Sequence, residues 1–238
     1  VNEVINGIVY LGQTELGYIP LGSSNDLARG LELPSDPEKA LFSILNAPAR
    51  PVDIGCVRYG GRTRRFIVSS GFGFDASVCH QVMVSRLKPL LNRLHLGKLT
   101  YAGVALQLLF FLRPQNMQMI LDGQEKISFH GVYFAAAMNL PFEGGGFKFC
   151  PHADCRDGKL NIIVVSGLSK LKVLLLLPTA FFGLHTRFHG VHTYTCHSAE
   201  FLSAAELPVH TDGEPVLRQQ RMMVRLENEK LLMKIINK

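Results

Sequence analysis

The 238-residue sequence predicts an α/β unit followed by a β-rich, sandwich-like domain with helical inserts. Three observations carry that expectation. The first fifty residues alternate helical periodicity with a short apolar run and end on "APARPVD". Beyond that point, strand-like runs separated by turn dipeptides fill most of the chain. The composition, 47% hydrophobic and 18% charged, is that of a globular chain long enough for a sizeable buried core.

The elements follow in order. "VNEVINGIVY" places Val4, Ile5, Ile8 and Val9 on one helical face, so a helix is expected over Asn2 to Leu11. "LGYIPLG" reads as a short buried strand, and a helix is expected from about Asn25. "SDPEKALFSILN" reads as another helix, with Ser35 or Asp36 as N-cap and Pro37 in its first turn. Residues 1–50 thus form the remainder of an α/β unit, and residues 51–238 a β-rich domain whose last residues could pack back on the first. Strands are expected in "VDIGCVRY", "RRFIVSSGFG", "NMQMILDGQEKISFHGVYFAAAMN", "KLNIIVVSG", "HTYTCHSAEFL", "LPVHTDGEPV" and "MMVRLENEKLLMKII". Met117, Met119 and Leu121 alternate with polar neighbours, Asp122-Gly123 supplies a hairpin turn, and Ile127 and Phe129 resume the alternation. Helical inserts fall near Ala76 to Leu112 and Ser169 to Leu184. No internal repeat or low-complexity stretch is present.

Charge and cysteine usage narrow the function classes. A net charge of +6 and a pI near 9.1 favour acidic partners: nucleotides, phospholipid headgroups or nucleic acid. The basic residues occur only in small clusters (Arg62, Arg64 and Arg65; Arg86, Lys88, Arg93 and Lys98), which disfavours nucleic acid. The five irregularly spaced cysteines suit reduced cytosolic thiols rather than a disulfide framework. No signal peptide opens the chain. The apolar runs Leu99 to Leu112 and Leu171 to Leu184 are too short to span a bilayer and suit core or membrane-surface helices.

Four stretches carry candidate chemistry. In "PLGSSNDLAR", Gly22, Ser23 and Ser24 precede a helix start where free amides could hold a phosphate. Taken alone, a capped helix with Asp26 in its first turn is the simpler account. In "CPHADCRDGKLNIIVV", Asp154 and Asp157 flank a turn ending at Gly158. Carboxylates and carbonyls there suit Mg²⁺ as well as they suit a plain Asp-rich turn. Cys150, His152 and Cys155, with His185, His189, His192, Cys196 and His197, invite a zinc reading, but no C-x₂-C is present. In "TDGEPV", Glu214 comes after an Asp212-Gly213 turn, yet "LDGQEK" repeats the pattern around Glu125, so local sequence cannot separate a working glutamate from an idle one. "SGFGFDASV" and "FEGGGFKF" are Gly-rich without the strand-GxGxxG-helix frame of a dinucleotide loop, and read as tight turns or close backbone approaches.

Together these stretches resemble the diacylglycerol kinase catalytic-domain family, in particular the soluble bacterial lipid kinases, with sphingosine and ceramide kinases as more distant relatives. "PLGSSNDLARGL" is similar to the motif P-x-G-T-x-N-D-x-A-R, and "GFGFDASV" to G-x-G-x-D-A-x-V. "FEGGGFKFCPHADCRDGKLNIIVV" is similar to G-G-G-x-x-x-x-P-x-A-x-x-x-D-G-x-L-x-x-x-x-V, and "TDGEP" to the closing D-G-E. All four occur in order, from Val1 almost to the C-terminus. The resemblance implies a nucleotide-binding domain of the NAD-kinase and diacylglycerol-kinase type, and a lipid or substrate domain behind it.

It also implies ATP-dependent phosphorylation of a lipid hydroxyl, diacylglycerol or a related lipid, with ATP and Mg²⁺ as cofactors. Val1 and Asn2 would close the nucleotide loop, since "VNEVINGI" is similar to the residues just after the G-G-D-G-T loop of the family. Ser23 would stand in the usual threonine's place near the phosphates, with Asn25 beside it. Asp26 would join the network around magnesium. Asp157 would hold Mg²⁺ by its side chain, and Asp154 and Lys159 by backbone carbonyls. Glu214 would accept the hydroxyl proton, with Asp212 close by. The resemblance further implies that the glycine-rich loop should lie just before Val1, so this stretch by itself would be inactive. A cytoplasmic, peripherally membrane-associated enzyme of phospholipid metabolism is expected, with lipid and membrane surface as partners, no nucleic acid, and room for a homodimer. Two other readings remain open: a non-catalytic lipid-binding or regulatory module, and a kinase of a soluble substrate such as NAD, whose kinases share the G-G-D-G loop.

Overall fold

A computed structural model describes residues 1–84 and 108–235, with side chains described to Cys79 on the first side of that gap. The basic cluster Arg86, Lys88, Arg93 and Lys98 and most of the run Leu99 to Leu112 lie outside the described residues.

Helix α1 (Asn2–Gly7) is shorter than its periodicity suggests. It stops at Gly7, and Ile8 is already extended. Arg65 completes the stop: its guanidinium donates to the carbonyls of Ile5 (3.1 Å) and Ile8 (2.6 Å). A cation at a helix C-terminus both satisfies free carbonyls and suits the dipole. A single 3-10 turn (Leu11–Gln13) comes next, then the two-residue strand β1 (Glu15–Leu16). The expected strand over "LGYIPLG" does not form. Pro20 has no N–H to give a ladder, and Asn25 Oδ1 instead accepts from Gly22 N–H (3.0 Å) and the Tyr18 hydroxyl (3.3 Å), folding the segment into a loop. Helix α2 (Asp26–Gly30) has only five residues. Helix α3 (Pro37–Asn46) starts as its sequence indicates: Asp36 accepts from Lys39 N–H and Pro37 occupies the first turn.

A small sheet joins the two ends of the chain. Strand β14 (Leu231–Lys234) lies between β1, to which it is parallel, and the antiparallel β2 (Ala49–Val52). Ile5, Leu11, Leu27, Val52, Leu231 and Met233 form one core beneath it.

The remaining strands make one large curled sheet: β3 (Gly55–Tyr59), β4 (Arg62–Phe66), β5 (Ser69–Gly73), β6 (Gln115–Leu121), β7 (Glu125–Met138), β8 (Leu160–Ser166), β9 (Val191–Cys196), β10 (Ser198–Leu207), β11 (Val209–Thr211), β12 (Glu214–Pro215) and β13 (Gln219–Leu226). The main path runs β12-β11-β5-β7-β6-β10-β13-β3-β4, with β8 on β7 and β9 on β8. The 14-residue β7 makes the fold a sandwich. Its first half pairs with β6; its second half lies between β5 and β8. The register shifts where the strand passes from one layer to the other, near Gly131 at φ +63°. Alternation then sorts side chains by layer. Ala135, Ala137, Leu160, Ile162 and Val164 enter the core between the layers with Phe72, Met119, Phe201 and Met222. Phe134, Ala136, Met138, Ile163 and Val165 face the opposite way. They are covered by α4 (Phe74–Val84), by residues 108–111, which are helical, and by α5 (Lys170–Ala180), capped by Ser169.

No helix among the described residues is long and apolar enough to cross a membrane. All five cysteines are free.

Candidate active site

The β11–β12 turn carries Asp212, Gly213 and Glu214. Asp212 and Gly213 both have positive φ (+51° and +81°), the signs of a type I′ turn. Asp122 and Gly123 have the same signs (+48° and +71°). What separates the two turns is their surroundings. Asp122 accepts the amides of His197 and Ser198 at the surface. Asp212 reaches inward: its carboxylate accepts backbone N–H groups from Ile67, Val68 and Ser69 at 2.7–3.1 Å, and Asn2 Nδ2 at 2.7 Å. Burial pushes the Asp212 carboxyl up, and these donors pull against that rise. Asn2, itself buried, also donates to Arg65 O and accepts from Arg64 Nε at 2.7 Å. The start of α1 is thereby pinned to the turn 210 residues away. Val1, at 43% exposure, stands open beside it. Glu214 is exposed and makes no side-chain hydrogen bond or ion pair among the described residues.

In the "PLGSSNDLAR" segment, Asn25 is spent on the loop it closes, with φ +51°. Ser23 is exposed and makes no hydrogen bond among the described residues. Asp26 is the engaged residue. Its Oδ2 accepts Gly145 N–H at 2.8 Å, and its Oδ1 pairs with Arg29 at 2.8 Å. Its carboxyl is raised to about 6, first by burial and then by the nearby Glu143, against the pull of the Gly145 amide and Arg29.

Gly145 belongs to the loop Gly144–Gly146, closed by paired backbone bonds between Glu143 and Phe147 (2.9 and 3.0 Å). All three glycines have positive φ, and a Cβ on Gly146 would sit 3.0 Å from Arg29 Nη1. This is why the sequence needs three glycines in a row here. Glu143 then turns its side chain into the core, where its Oε1 lies 2.9 Å from His210 Nε2. Asp75, from the "GFGFDASV" segment, lies 3.2 Å from the same nitrogen. Gly71 makes room: a Cβ there would come within 1.8 Å of Asp75 Oδ2 and 2.3 Å of His210 Nε2. Burial raises the Asp75 carboxyl and opposes charge on the enclosed His210 ring, while the facing Glu143 and Asp75 carboxylates pull the ring the other way. Contacts therefore run without a break from Asp26 through the glycine loop, Glu143 and His210 to the turn that carries Glu214.

Asp154, Asp157 and Lys159 lie on a separate surface turn. Asp154 O accepts Asp157 N–H at 3.3 Å, and Asp157 Oδ1 accepts Lys159 N–H at 2.9 Å. Arg156 pairs with the Asp154 carboxylate and holds it below the usual carboxylate range. That leaves the Asp154 carbonyl, not its side chain, as the better donor to a cation. Asp53 anchors this turn: its Oδ2 accepts Gly158 N–H at 2.8 Å and its Oδ1 pairs with Lys230 at 2.7 Å. The cysteines and other histidines weighed for zinc do not cluster. Among the described residues, the group of potential metal ligands that comes together is Asp75, Glu143 and His210.

Sequence reasoning missed Asp53 and His210, and used Asp75 and Glu143 only as parts of Gly-rich motifs. A single histidine in an apolar strand has no local signal. Only the meeting of positions 75, 143 and 210 gives it one.

Two family models match the chain. Residues 1–57 match the diacylglycerol kinase catalytic domain, and residues 67–227 match the YegS C-terminal NAD kinase beta sandwich-like domain. Among curated relatives, the chain is 30% identical over 217 residues to "Putative lipid kinase YtlR" of Bacillus subtilis, spanning 90% of this chain and 70% of that protein. It is also 30% identical over 217 residues to a diacylglycerol kinase of Mycobacterium tuberculosis, spanning 89% and 67%. A crystal structure of a diacylglycerol kinase from Bacillus anthracis superposes with a TM-score of 0.65 at 18% identity, covering 93% of this chain and 67% of that one. The α/β unit with its sandwich is thus a shared fold, and the chain belongs to the diacylglycerol kinase catalytic-domain family with a YegS-type NAD-kinase-like β-sandwich.

Proposed function

We propose that this chain is part of an ATP-dependent lipid kinase that transfers the γ-phosphoryl group of ATP to a lipid hydroxyl. The observation that carries the reading is the unbroken series of contacts joining Asp26 to the Glu214 turn, in a chain whose relatives are named lipid and diacylglycerol kinases. In this reading residues 1–50 contribute to the nucleotide side and residues 51–238 to the lipid side.

Phosphoryl transfer depends on positioning and on charge neutralisation. Asp26, fixed by Gly145 and Arg29, and the hydroxyl of Ser23 face the phosphates, with Val1, Asn2 and Asn25 shaping the same edge. Glu214 accepts the proton of the lipid hydroxyl as its oxygen bonds to phosphorus and the bond from phosphorus to the ADP oxygen breaks. An exposed carboxylate without competing partners is suited to that task. The Asp157 carboxylate with the carbonyls of Asp154 and Lys159 is an all-oxygen set, which fits Mg²⁺. Bound there or beside the phosphates, the ion would supply positive charge.

An exposed apolar face favours a lipid over a soluble substrate. Leu171 and Leu175 of α5, Phe181 and Phe182 after it, and Phe110 and Phe111 beside it stand in solvent. Lys170 ties the two segments through the Phe110 carbonyl. The same face is bonded to the glycine loop by Lys148 N–H on Ala180 O (2.8 Å) and by the Phe147–Phe181 stack at 4.2 Å. Apolar side chains flanked by lysines suit the surface of an anionic bilayer, and this supports peripheral membrane association. The test is Glu214→Ala in the protein as its gene encodes it. ATP binding by calorimetry should be retained and turnover lost. Turnover equal to wild type would refute the role of Glu214.

A further inference from the structure

Three ionisable side chains, Asp75, Glu143 and His210, meet in the interior. Their exposures are 9%, 7% and 0%, and Glu143 Oε2 has no hydrogen-bond partner among the described residues. The geometry says what the imidazole does. Gly213 N–H donates to His210 Nδ1 at 3.2 Å. A nitrogen that accepts must be bare, so the ring proton is on Nε2, between Glu143 Oε1 and Asp75 Oδ2. The same bond disfavours a metal on Nε2. A neutral imidazole coordinated there would carry its proton on Nδ1, pointing at another N–H donor. Asp75 is held in turn by Ala76 N–H at 2.7 Å, and Glu143 by the closed glycine loop that also holds Asp26.

We propose that His210 is a positioning residue for Glu214: supported by Asp75 and Glu143, it holds the Gly213 amide and so fixes the turn that presents Glu214 in register with the Asp26 loop. The proposal rests on the role given to Glu214 as proton acceptor, and it adds a second tier to that site. The titratable groups that face His210 are Asp75, Glu143 and Cys79. Asp75 and Glu143 are buried, and Cys79 is half-buried.

Three readouts on the protein as its gene encodes it decide the matter. Nitrogen NMR of wild type should show His210 with a bare Nδ1 at neutral pH. A protonated Nδ1, or stoichiometric transition metal lost on changing Glu143→Gln, would overturn the proposal. His210→Gln keeps a donor near the Nε2 position and loses the acceptor for Gly213. Its Gly213 and Glu214 amides should exchange with solvent about tenfold faster, the effect of one hydrogen bond. Its kcat should fall about 10–100-fold with KM for ATP unchanged, as displacement of a reacting group does. His210→Asn, which keeps an acceptor near the Nδ1 position, should restore slow exchange at Gly213. Unchanged exchange in His210→Gln, or faster exchange with unchanged kcat, would each overturn the proposal. If the wild type transfers phosphate to no lipid, the kinase reading falls. The resonance and exchange data still decide whether His210 holds the turn.

Discussion

Replacing Asp212 with alanine removes the shared acceptor of three backbone amides and of Asn2. The amides of Ile67, Val68 and Ser69 point at this one carboxylate and are enclosed with it. An orphaned buried donor costs about 1–3 kcal/mol. Three of them give about 3–9 kcal/mol, and water entering from the turn recovers part of that, leaving about 3–5 kcal/mol. Against a total of about 5–15 kcal/mol for a domain, Asp212→Ala should unfold at markedly lower urea. Asp212→Asn keeps one oxygen and should lose less. The molecule contains its own control. Asp122 occupies a turn with the same backbone signs, yet its amide bonds to His197 and Ser198 lie at the surface, where water can replace them. Asp122→Ala should cost under about 1 kcal/mol. Urea midpoints for the two alanine variants measure the difference. Equal losses would refute the claim that Asp212 is the internal anchor of the Glu214 turn.

The same contacts set further expectations. Gly71→Ala should cost about 3 kcal/mol in thermal unfolding, because its Cβ would press Asp75 and His210 apart; a change within about 0.5 kcal/mol would contradict that. Asp26 has a folded pKa of about 6 against an ordinary 3.8, so its stabilising contribution is complete below pH 3.8 and is lost as pH rises through 6. Between pH 4 and pH 7, wild type should therefore lose up to about 3 kcal/mol relative to Asp26→Asn, and parallel pH curves for the two proteins would refute it. Leu175→Glu with Phe182→Glu should weaken binding to anionic vesicles at least about tenfold while leaving stability within about 0.5 kcal/mol. Vesicle binding equal to wild type would remove the membrane role of that face.

What the sequence made legible were features decided locally. Asp36 before Pro37 announced a capped helix, Asp-Gly pairs announced turns, and alternation announced β6 and the first half of β7. What it hid were features decided at a distance. Helix α1 ends early because Arg65, some sixty residues on, takes its carbonyls. "LGYIPLG" is a loop because Asn25 holds it and because β14, from the far end of the chain, pairs with Glu15 and Leu16 instead. The turns at Asp122 and Asp212 are alike in sequence and in backbone. The buried amides of residues 67–69, brought up by the sandwich, and Asn2 distinguish them. The motifs follow one another in order along the chain, but the contacts that join them run through Glu143 and His210, two side chains that no spacing rule points to.

Lipid phosphorylation is most directly tested by incubating the protein as its gene encodes it with γ-labelled ATP, Mg²⁺ and mixed vesicles containing diacylglycerol, phosphatidylglycerol or a sphingoid base, then extracting the lipid. Label should appear in the phosphate of an extracted lipid and should depend on Glu214. Label that stays entirely in the aqueous phase, whether as inorganic phosphate or on a soluble acceptor such as NAD, would contradict a lipid kinase.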